Sequence, residues 1–276
     1  MSEWVSHRSC IFCGSRGPLT DEHALPHWAA NLLGTGTNPP VIQGPKGRPI
    51  RLRIVAPQTL CHDCNNLWLG QYEDRFKALL GAAILGEGPI PLSRDDQEFA
   101  ALWAIKTALL LELAVRLPPW RLNPIPLPDS VFRWMQLHKT PPPGASVWIG
   151  TTGPGPDRKP DQNWRYGNIA NHPITLPNSD WPIGNIITFH VQFLLFKVCV
   201  VQVDGTEPEP IRVPRSDPHF LQIWPVASDL IEWPALGLSW TDFDTLRAQL
   251  WPVALPPDAP PMKPWPLIPK ESNDWR

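Results

Sequence analysis

The chain is poor in charged residues and has no long uninterrupted apolar run. Charged residues make up 18% of its 276 residues and the formal net charge is −2, which excludes a disordered charged chain and a surface that attracts nucleic acid all over. The most apolar stretch, 99–115, is broken by Lys106 and Glu112, so it lacks the roughly 18 apolar residues of a membrane span. The first residues show no apolar export signal. We therefore expect a cytoplasmic protein with no membrane partner.

Tyrosine and methionine are also scarce, whereas proline and tryptophan are abundant. The chain has 2 tyrosines and 3 methionines but 37 prolines and 15 tryptophans. Prolines interrupt helices and strands, which predicts short elements joined by many turns. Tryptophans bury a large apolar area, which predicts that these segments pack on a core. At about 150 residues per domain, the length allows one or two domains.

Hydrophobic periodicity predicts helices and strands in the same chain. Ser93 is a candidate N-cap, followed by acidic residues and then apolar residues at helical spacing from Phe99 to Leu113. A shorter helix is predicted over 129–139. Strands are predicted at 146–151, 166–170, 186–203 and 220–224. The segment 186–203 is either one strand covered on both faces or two strands joined by a bend.

Three single residues in these elements have simple structural interpretations. Lys106 is expected to reach the edge of the apolar stripe of its helix. Glu73 is expected to face solvent, as acidic residues near a helix start usually do, although it could also reach a metal. Cys199, within the predicted strand 186–203, is expected to be a buried apolar residue.

The cysteines give the most specific signal. Cys10 and Cys13 form one Cys-x-x-Cys pair, and Cys61 and Cys64 form a second pair far along the chain. Gly14 follows the first pair, where the backbone must turn tightly around a metal. In a compartment that keeps thiols reduced, two such pairs predict a closed, structural zinc site with four thiolate ligands.

Residues beside the two cysteine pairs resemble a known family. Glu22-His23 follows the first pair, with Pro26 three residues later, and Asn65-Asn66 follows the second pair directly. This arrangement resembles the HNH (ββα-metal) endonucleases whose zinc site has four cysteines. The resemblance covers about 8–80. Cys64–Trp68 and the segments 103–108 and 147–150 also resemble actinobacterial proteins identified as HNH endonucleases.

The resemblance implies roles for individual residues. His23 would be the general base that takes a proton from water, which suits an imidazole with a pKa near 6.5. Glu22 and Asn65 would hold one catalytic divalent cation, Mg²⁺ or Mn²⁺, with Asn66 as an alternative to Asn65; oxygen ligands suit these ions. Ala56 stands where many members of the family have an asparagine that orients the histidine.

One short segment is strongly basic. Lys46, Arg48, Arg51 and Arg53 lie within eight residues and no acidic residue stands nearby. The segment is either a contact surface for DNA phosphates or the solvated face of a strand, and neither interpretation outweighs the other.

Together these features predict an α+β protein in two parts. An N-terminal zinc-stapled ββα-metal (HNH) module over 1–80 would precede a mixed helical and antiparallel β domain over 90–276 with a proline-rich tail. The expected function is metal-dependent hydrolysis of DNA phosphodiester bonds. Two alternatives stay open: an inactive zinc-binding recognition module, and a small-molecule enzyme that uses the same pocket.

Overall fold

The computed structural model shows a mixed helical and antiparallel β protein, which confirms the α+β class. It describes residues 9–32, 41–43, 49–51, 55–115, 129–153, 166–175, 182–201, 219–234 and 238–239. The predicted proline-rich tail lies outside these residues, as do Lys46, Arg48 and Arg53 of the basic segment. Within the described residues, no helix combines the length and apolarity needed to cross a lipid bilayer.

The N-terminal part is built on two paired strands that are far apart in the sequence. Its elements are β1 (Leu19–His23), α1 (His27–Leu32), β2 (Val41–Gln43), β3 (Pro49–Arg51) and β4 (Val55–Cys61). Strands β1 and β4 pair antiparallel, while β2 and β3 form a separate hairpin between them in sequence. A register shift in β1 lies between Thr20 and Glu22, and the Asp21 carboxylate accepts a hydrogen bond from the backbone of Gln58, 2.9 Å away. This bulge sets the direction of the last residues of β1.

A long helical segment follows β4 directly. It starts with π-helical turns at Asp63–Leu69 and continues as α2 (Gly70–Ile84). The apolar side chains of this segment face the core: Phe76 and Leu80 are fully buried, and Trp68, Tyr72 and Leu79 are partly buried against the same cluster. Cys64, at the first turn, is therefore held by a helix that packs along its whole length.

Strand β5 (Ile90–Ser93) leads into the central helix α3 (Arg94–Val115). The predicted N-cap is confirmed: the backbone N–H of Asp96 donates to Ser93 Oγ at 3.3 Å, and Ser93 Oγ donates to Asp96 Oδ2 at 2.6 Å. Residues 99–112 of α3 are buried on all sides, as expected of a helix enclosed by other elements. A shorter helix, α4 (Asp129–His138), follows.

The remaining strands form a six-stranded sheet and a small ladder. They are β6 (Ser146–Gly153), β7 (Tyr166–Thr175), β8 (Pro182–Val191), β9 (Leu194–Val201), β10 (Phe220–Trp224), β11 (Leu230–Trp233) and β12 (Leu238–Ser239). The sheet has the antiparallel order β10-β6-β9-β8-β7, with β12 parallel to β6, and β11 pairs with β5. The segment 186–203 is thus two strands joined by a turn at 192–193, the second of the two predicted alternatives.

Buried apolar residues of both parts form one hydrophobic cluster. Phe76 of α2 stacks on Trp103 of α3 with ring centroids 3.6 Å apart, and Trp103 also contacts Phe189 and Phe196 of the sheet. Phe12, beside the first cysteine pair, packs edge-on against Phe132 of α4 at 5.2 Å. The segment that carries the first cysteine pair and the central helix therefore share a core. The proposed boundary between the two parts stays a prediction.

Candidate functional site

The four cysteines of the two pairs come together in space. Their sulfur atoms all lie within 4.8 Å of one another, and Cys13 Sγ is 3.6 Å from Cys61 Sγ. A tetrahedral zinc ion with Zn–S bonds of about 2.3 Å requires sulfur atoms roughly 3.8 Å apart. Cys10 and Cys64 are buried, whereas Cys13 is exposed. The predicted four-cysteine cluster is confirmed, and its donor set and spacing fit a zinc ion.

Two short backbone features hold the first cysteine pair in place. Gly14 has a φ of +75°, the left-handed conformation predicted for the turn, and its N–H donates to the carbonyl of Cys10 at 2.8 Å. The backbone of Ile11 donates to the carbonyl of Thr59 in β4 at 3.1 Å, which joins the first pair to the strand that carries the second. Burial raises the pKa of the Cys64 thiol, so zinc binding would have to displace a proton there.

Next to the cysteine cluster lies an open cleft of about 450 Å³. Strand β1, helix α1 and the helical segment that follows β4 form its walls. The predicted catalytic residues Glu22, His23 and Asn65 all line it. Further lining residues are Pro26, His27, Trp28, Asn66, Leu67, Leu69, Gly70, Gln71, Glu73 and Asp74. The fold thus brings one imidazole, one carboxylate and one amide, all expected from the resemblance, to a single concave surface.

His23 shares the cleft with a second histidine. The ring of His27, at the start of α1, lies with its centroid 4.1 Å from that of His23 and is tilted by 52°. Between them, the segment Ala24–Pro26 is buried, so the chain turns tightly from β1 into α1. His27 is exposed, as an ordinary surface histidine would be, but its contact with His23 restricts the rotation of the His23 ring.

Asn65 is oriented by two hydrogen bonds to β1. Its amide nitrogen donates to Thr20 Oγ1 at 2.9 Å and to the carbonyl oxygen of Asp21 at 3.2 Å. Because the nitrogen is committed to the strand, Oδ1 is the atom available as a ligand or acceptor. Asn66 also lines the cleft, but it is exposed and its amide donates only to the carbonyl of His62, at 3.4 Å. The geometry therefore favours Asn65 over Asn66.

Glu22 is part of a buried ionic network. Lys106 Nζ, from the middle of α3, lies 3.7 Å from Glu22 Oε1 and forms a close ion pair with Glu73 Oε1. The second oxygen of Glu73 accepts hydrogen bonds from the indole N–H groups of Trp28, at 3.0 Å, and Trp103, at 3.1 Å. The two carboxylates of this network thus share one ammonium, that of Lys106.

The network reverses two simple expectations. Lys106 is only 2% exposed and does not reach the edge of the apolar stripe, and Glu73 points inward to hydrogen-bond partners instead of facing solvent. Burial lowers the pKa of Lys106, but Glu73 and Glu22 outweigh it and the pKa is raised, so the lysine stays charged. Burial raises the pKa of the Glu22 carboxyl, against the effect of the Lys106 ammonium, while Glu73 adds to the rise.

The oxygen donors of Glu22 and Asn65 suit a hard divalent cation. Asp21, the neighbouring acid, is exposed and holds the bulge of β1, so it does not replace Glu22. Of the basic segment, Arg51 ends β3. Family models, curated proteins and solved structures offer no match to this chain, and the site must be interpreted from its own geometry.

Proposed function

We propose that the protein is an endonuclease of the HNH type that hydrolyses DNA phosphodiester bonds. The observation that carries this proposal is the cleft shared by Glu22, His23 and Asn65, next to a cysteine cluster that fits zinc. Strands β1 and β4 are held together by their own pairing, β4 ends at Cys61 of the cluster, and the helical segment that presents Asn65 follows directly. The three residues are therefore positioned by rigid elements.

In this proposal His23 accepts a proton from water while the water oxygen attacks phosphorus. The bond between phosphorus and the 3′ oxygen breaks, the leaving oxygen takes a proton from solvent, and the products carry 5′-phosphate and 3′-hydroxyl ends. Glu22 and Asn65 would hold a Mg²⁺ or Mn²⁺ ion, which when bound neutralises charge on the leaving oxygen. His27 limits the rotation of the His23 ring, and Thr20 and Asp21 fix the Asn65 amide.

The basic segment supports DNA as the substrate. Lys46, Arg48, Arg51 and Arg53 follow β1 in the connection to β4, so phosphate contacts there would be close in sequence to the cleft. Each phosphate contact by one of these side chains makes binding weaker as salt rises. The DNA partner rests on this charge pattern and on the family resemblance.

A small phosphorylated molecule is a second candidate substrate. The cleft volume of about 450 Å³ lies in the range that encloses small ligands. Its described lining includes Glu22, Glu73 and Asp74 but no lysine or arginine, which disfavours a polyanionic backbone unless a cation is bound. Cleavage of a small phosphodiester such as bis(p-nitrophenyl) phosphate, without any cleavage of DNA, would favour this candidate.

The proposed function is tested by cleavage of plasmid and branched DNA with zinc-loaded protein and added Mg²⁺ or Mn²⁺. Wild type should nick DNA only when the second ion is added, and His23→Ala should lose cleavage while it keeps its fold and its zinc. His62→Ala, an exposed histidine outside the cleft lining, is the matched control and should cleave normally. Equal cleavage by wild type and His23→Ala would refute the assigned base, and no cleavage of any phosphodiester would favour the inactive recognition module.

A further inference from the structure

The ammonium of Lys106 is an unusual charge to find inside a protein core. It lies in α3 within a stretch that is otherwise almost entirely apolar and buried, and its side chain is 3% exposed. Removing a charge from water costs several kcal/mol, and apolar residues of similar volume often replace a buried ion pair without loss of stability. Stability alone therefore gives little reason for a lysine at this position.

The contacts of Lys106 lead from the core to the cleft. Its Nζ contacts Glu73 and lies 3.7 Å from Glu22, and both carboxylates line the cleft. Glu73 is itself fixed by the indole N–H groups of Trp28 and Trp103. Trp103 cannot move freely because its ring stacks on Phe76 at 3.6 Å. A chain of directional contacts thus connects the rigid core to the carboxylate of Glu22.

We propose that Lys106 and Glu73 are positioning residues of the cleft, which hold the Glu22 carboxylate in the orientation needed to bind a divalent cation. This inference rests on the proposed function and extends it to two residues outside the expected site. Lys106 Nζ lies 3.7 Å from Oε1 of Glu22 and restrains that carboxylate from the side of the core. Glu73 forms a close ion pair with Lys106, and the indole N–H groups of Trp28 and Trp103 hold Glu73. The site therefore includes a residue from α3, beyond the N-terminal module expected from the sequence.

The direction in which cation binding changes when Lys106 is removed distinguishes a positioning role from a purely electrostatic one. If Lys106 acted only through its charge, it would repel a divalent cation, and removing it would strengthen cation binding. If it positions Glu22, removing it would weaken cation binding, because the carboxylate would lose its fixed orientation. In a variant that loses both the Lys106 and the Glu73 charge, charge alone predicts no change in the Mn²⁺ concentration needed for half-saturation, whereas loss of positioning raises that concentration.

The test uses the full-length, zinc-loaded protein. Lys106→Met alone would leave two buried carboxylates without a cation and could prevent folding. The main variant is therefore the double substitution Lys106→Met with Glu73→Gln, which removes the ion pair but keeps an oxygen that accepts from the tryptophans. Trp103→Phe is a milder second variant, since it removes one N–H donor to Glu73 and keeps a ring to stack on Phe76. Lys77→Met, an exposed lysine on α2, is the control for the same side-chain change.

Two readouts are compared: Mn²⁺ binding, followed by electron paramagnetic resonance, and the kcat and KM of DNA cleavage. We expect the double variant to keep its zinc and circular dichroism, to need more Mn²⁺ for half-saturation, and to lose about tenfold or more in kcat with little change in KM. Trp103→Phe should change both quantities in the same direction by a smaller factor. Lys77→Met should match wild type.

Unchanged or tighter Mn²⁺ binding by a folded double variant would overturn the positioning role, even if His23→Ala is inactive and the proposed function holds. If the double variant does not fold, unchanged Mn²⁺ binding and kcat in Trp103→Phe would overturn it instead. Suppose that wild type binds Mn²⁺ but cleaves no phosphodiester, and that the double variant binds no Mn²⁺. That result would uphold the positioning role and refute the proposed hydrolysis. Wild type that binds no Mn²⁺ would overturn the inference.

Discussion

At the scale of single residues, the contact between His23 and His27 gives a direct prediction. The two rings lie 4.1 Å apart in the cleft, and His27 is exposed enough to be replaced without loss of core packing. We expect His27→Ala to lower kcat by about tenfold because the His23 ring gains rotational freedom. His27→Phe keeps the ring contact and should recover most of the loss. Single-turnover cleavage of plasmid DNA measures both, and equal losses in the two variants would mean that His27 acts through its nitrogen atoms instead.

His190 in β8 makes a second prediction, on stability. Burial lowers its pKa from 6.5 to about 4, so the folded protein keeps the ring neutral while the unfolded chain takes up a proton. The stabilising contribution is complete above pH 6.5 and is lost as the pH falls towards 4. The free energy of unfolding should drop by about 3 kcal/mol from this residue over that interval.

Urea unfolding of wild type and His190→Leu between pH 4 and pH 7 tests this. The variant should show a flatter dependence of unfolding free energy on pH, whereas His62→Gln, an exposed histidine, should follow wild type. The same slope for His190→Leu and wild type would show that His190 is protonated in the folded state.

Lys106 and Glu73 show why part of the site was beyond prediction from the sequence. His23, Glu22 and Asn65 were expected from the resemblance to HNH endonucleases, which rests on short motifs near the two cysteine pairs. The network instead depends on α3 crossing the N-terminal part, a long-range arrangement with no local pattern. The sequence did contain one indication of this network. A helix that is apolar on every face is buried, and a lysine in a buried helix needs an acidic or polar partner.

At the scale of elements, the start of α3 gives a stability prediction. Ser93 caps the helix and exchanges hydrogen bonds with Asp96, so Ser93→Ala removes an acceptor for a helix N–H group. We expect a loss of about 1 kcal/mol in the free energy of unfolding. Chemical denaturation measures it, with Ser228→Ala, an exposed serine outside any helix, as the comparison. A loss no larger than that of Ser228→Ala would mean that the cap contributes nothing.

Helices and strands with a clear hydrophobic periodicity could be predicted from the sequence, whereas features that depend on tertiary contacts could not. Strand β10 has the predicted bounds 220–224, and α4 ends one residue before its predicted end. The alternation in 186–203 indicated β structure but did not show where the chain turns. At the turn Gln192 has a φ of +51°, a conformation that glutamine does not favour and that the sequence therefore did not predict. The π-helical turns at Asp63–Leu69 likewise have no simple sequence signal.

At the scale of the whole molecule, the cysteine cluster joins segments that are far apart in sequence. A zinc ion there would stabilise the N-terminal part because it would join the Cys10–Cys13 turn, the end of β4 and the first turn of the following helix at one point. We expect Cys64→Ser to lose the bound zinc and to lower the melting temperature clearly. Cys199→Ser is the matched control, since Cys199 is a buried cysteine of β9 outside the cluster. Metal analysis and thermal unfolding measure both, and zinc retained at full occupancy by Cys64→Ser would contradict the assignment.

The shared core has a consequence for the site as a whole. Lys106 and Trp103 of α3 contact residues of the cleft wall, and Phe12 and Phe76 join the same hydrophobic cluster. Changes in the packing of α3 should therefore alter the positions of residues in the cleft wall, although none of the α3 side chains that the structure describes lines the cleft.

Zinc K-edge X-ray absorption on the purified protein most directly tests whether the two distant cysteine pairs hold a single metal and so build the cleft. The account predicts one zinc per chain with four sulfur neighbours at about 2.3 Å and no nitrogen or oxygen neighbour. Two sulfur neighbours supplemented by nitrogen or oxygen, or a protein that folds fully without zinc, would contradict it.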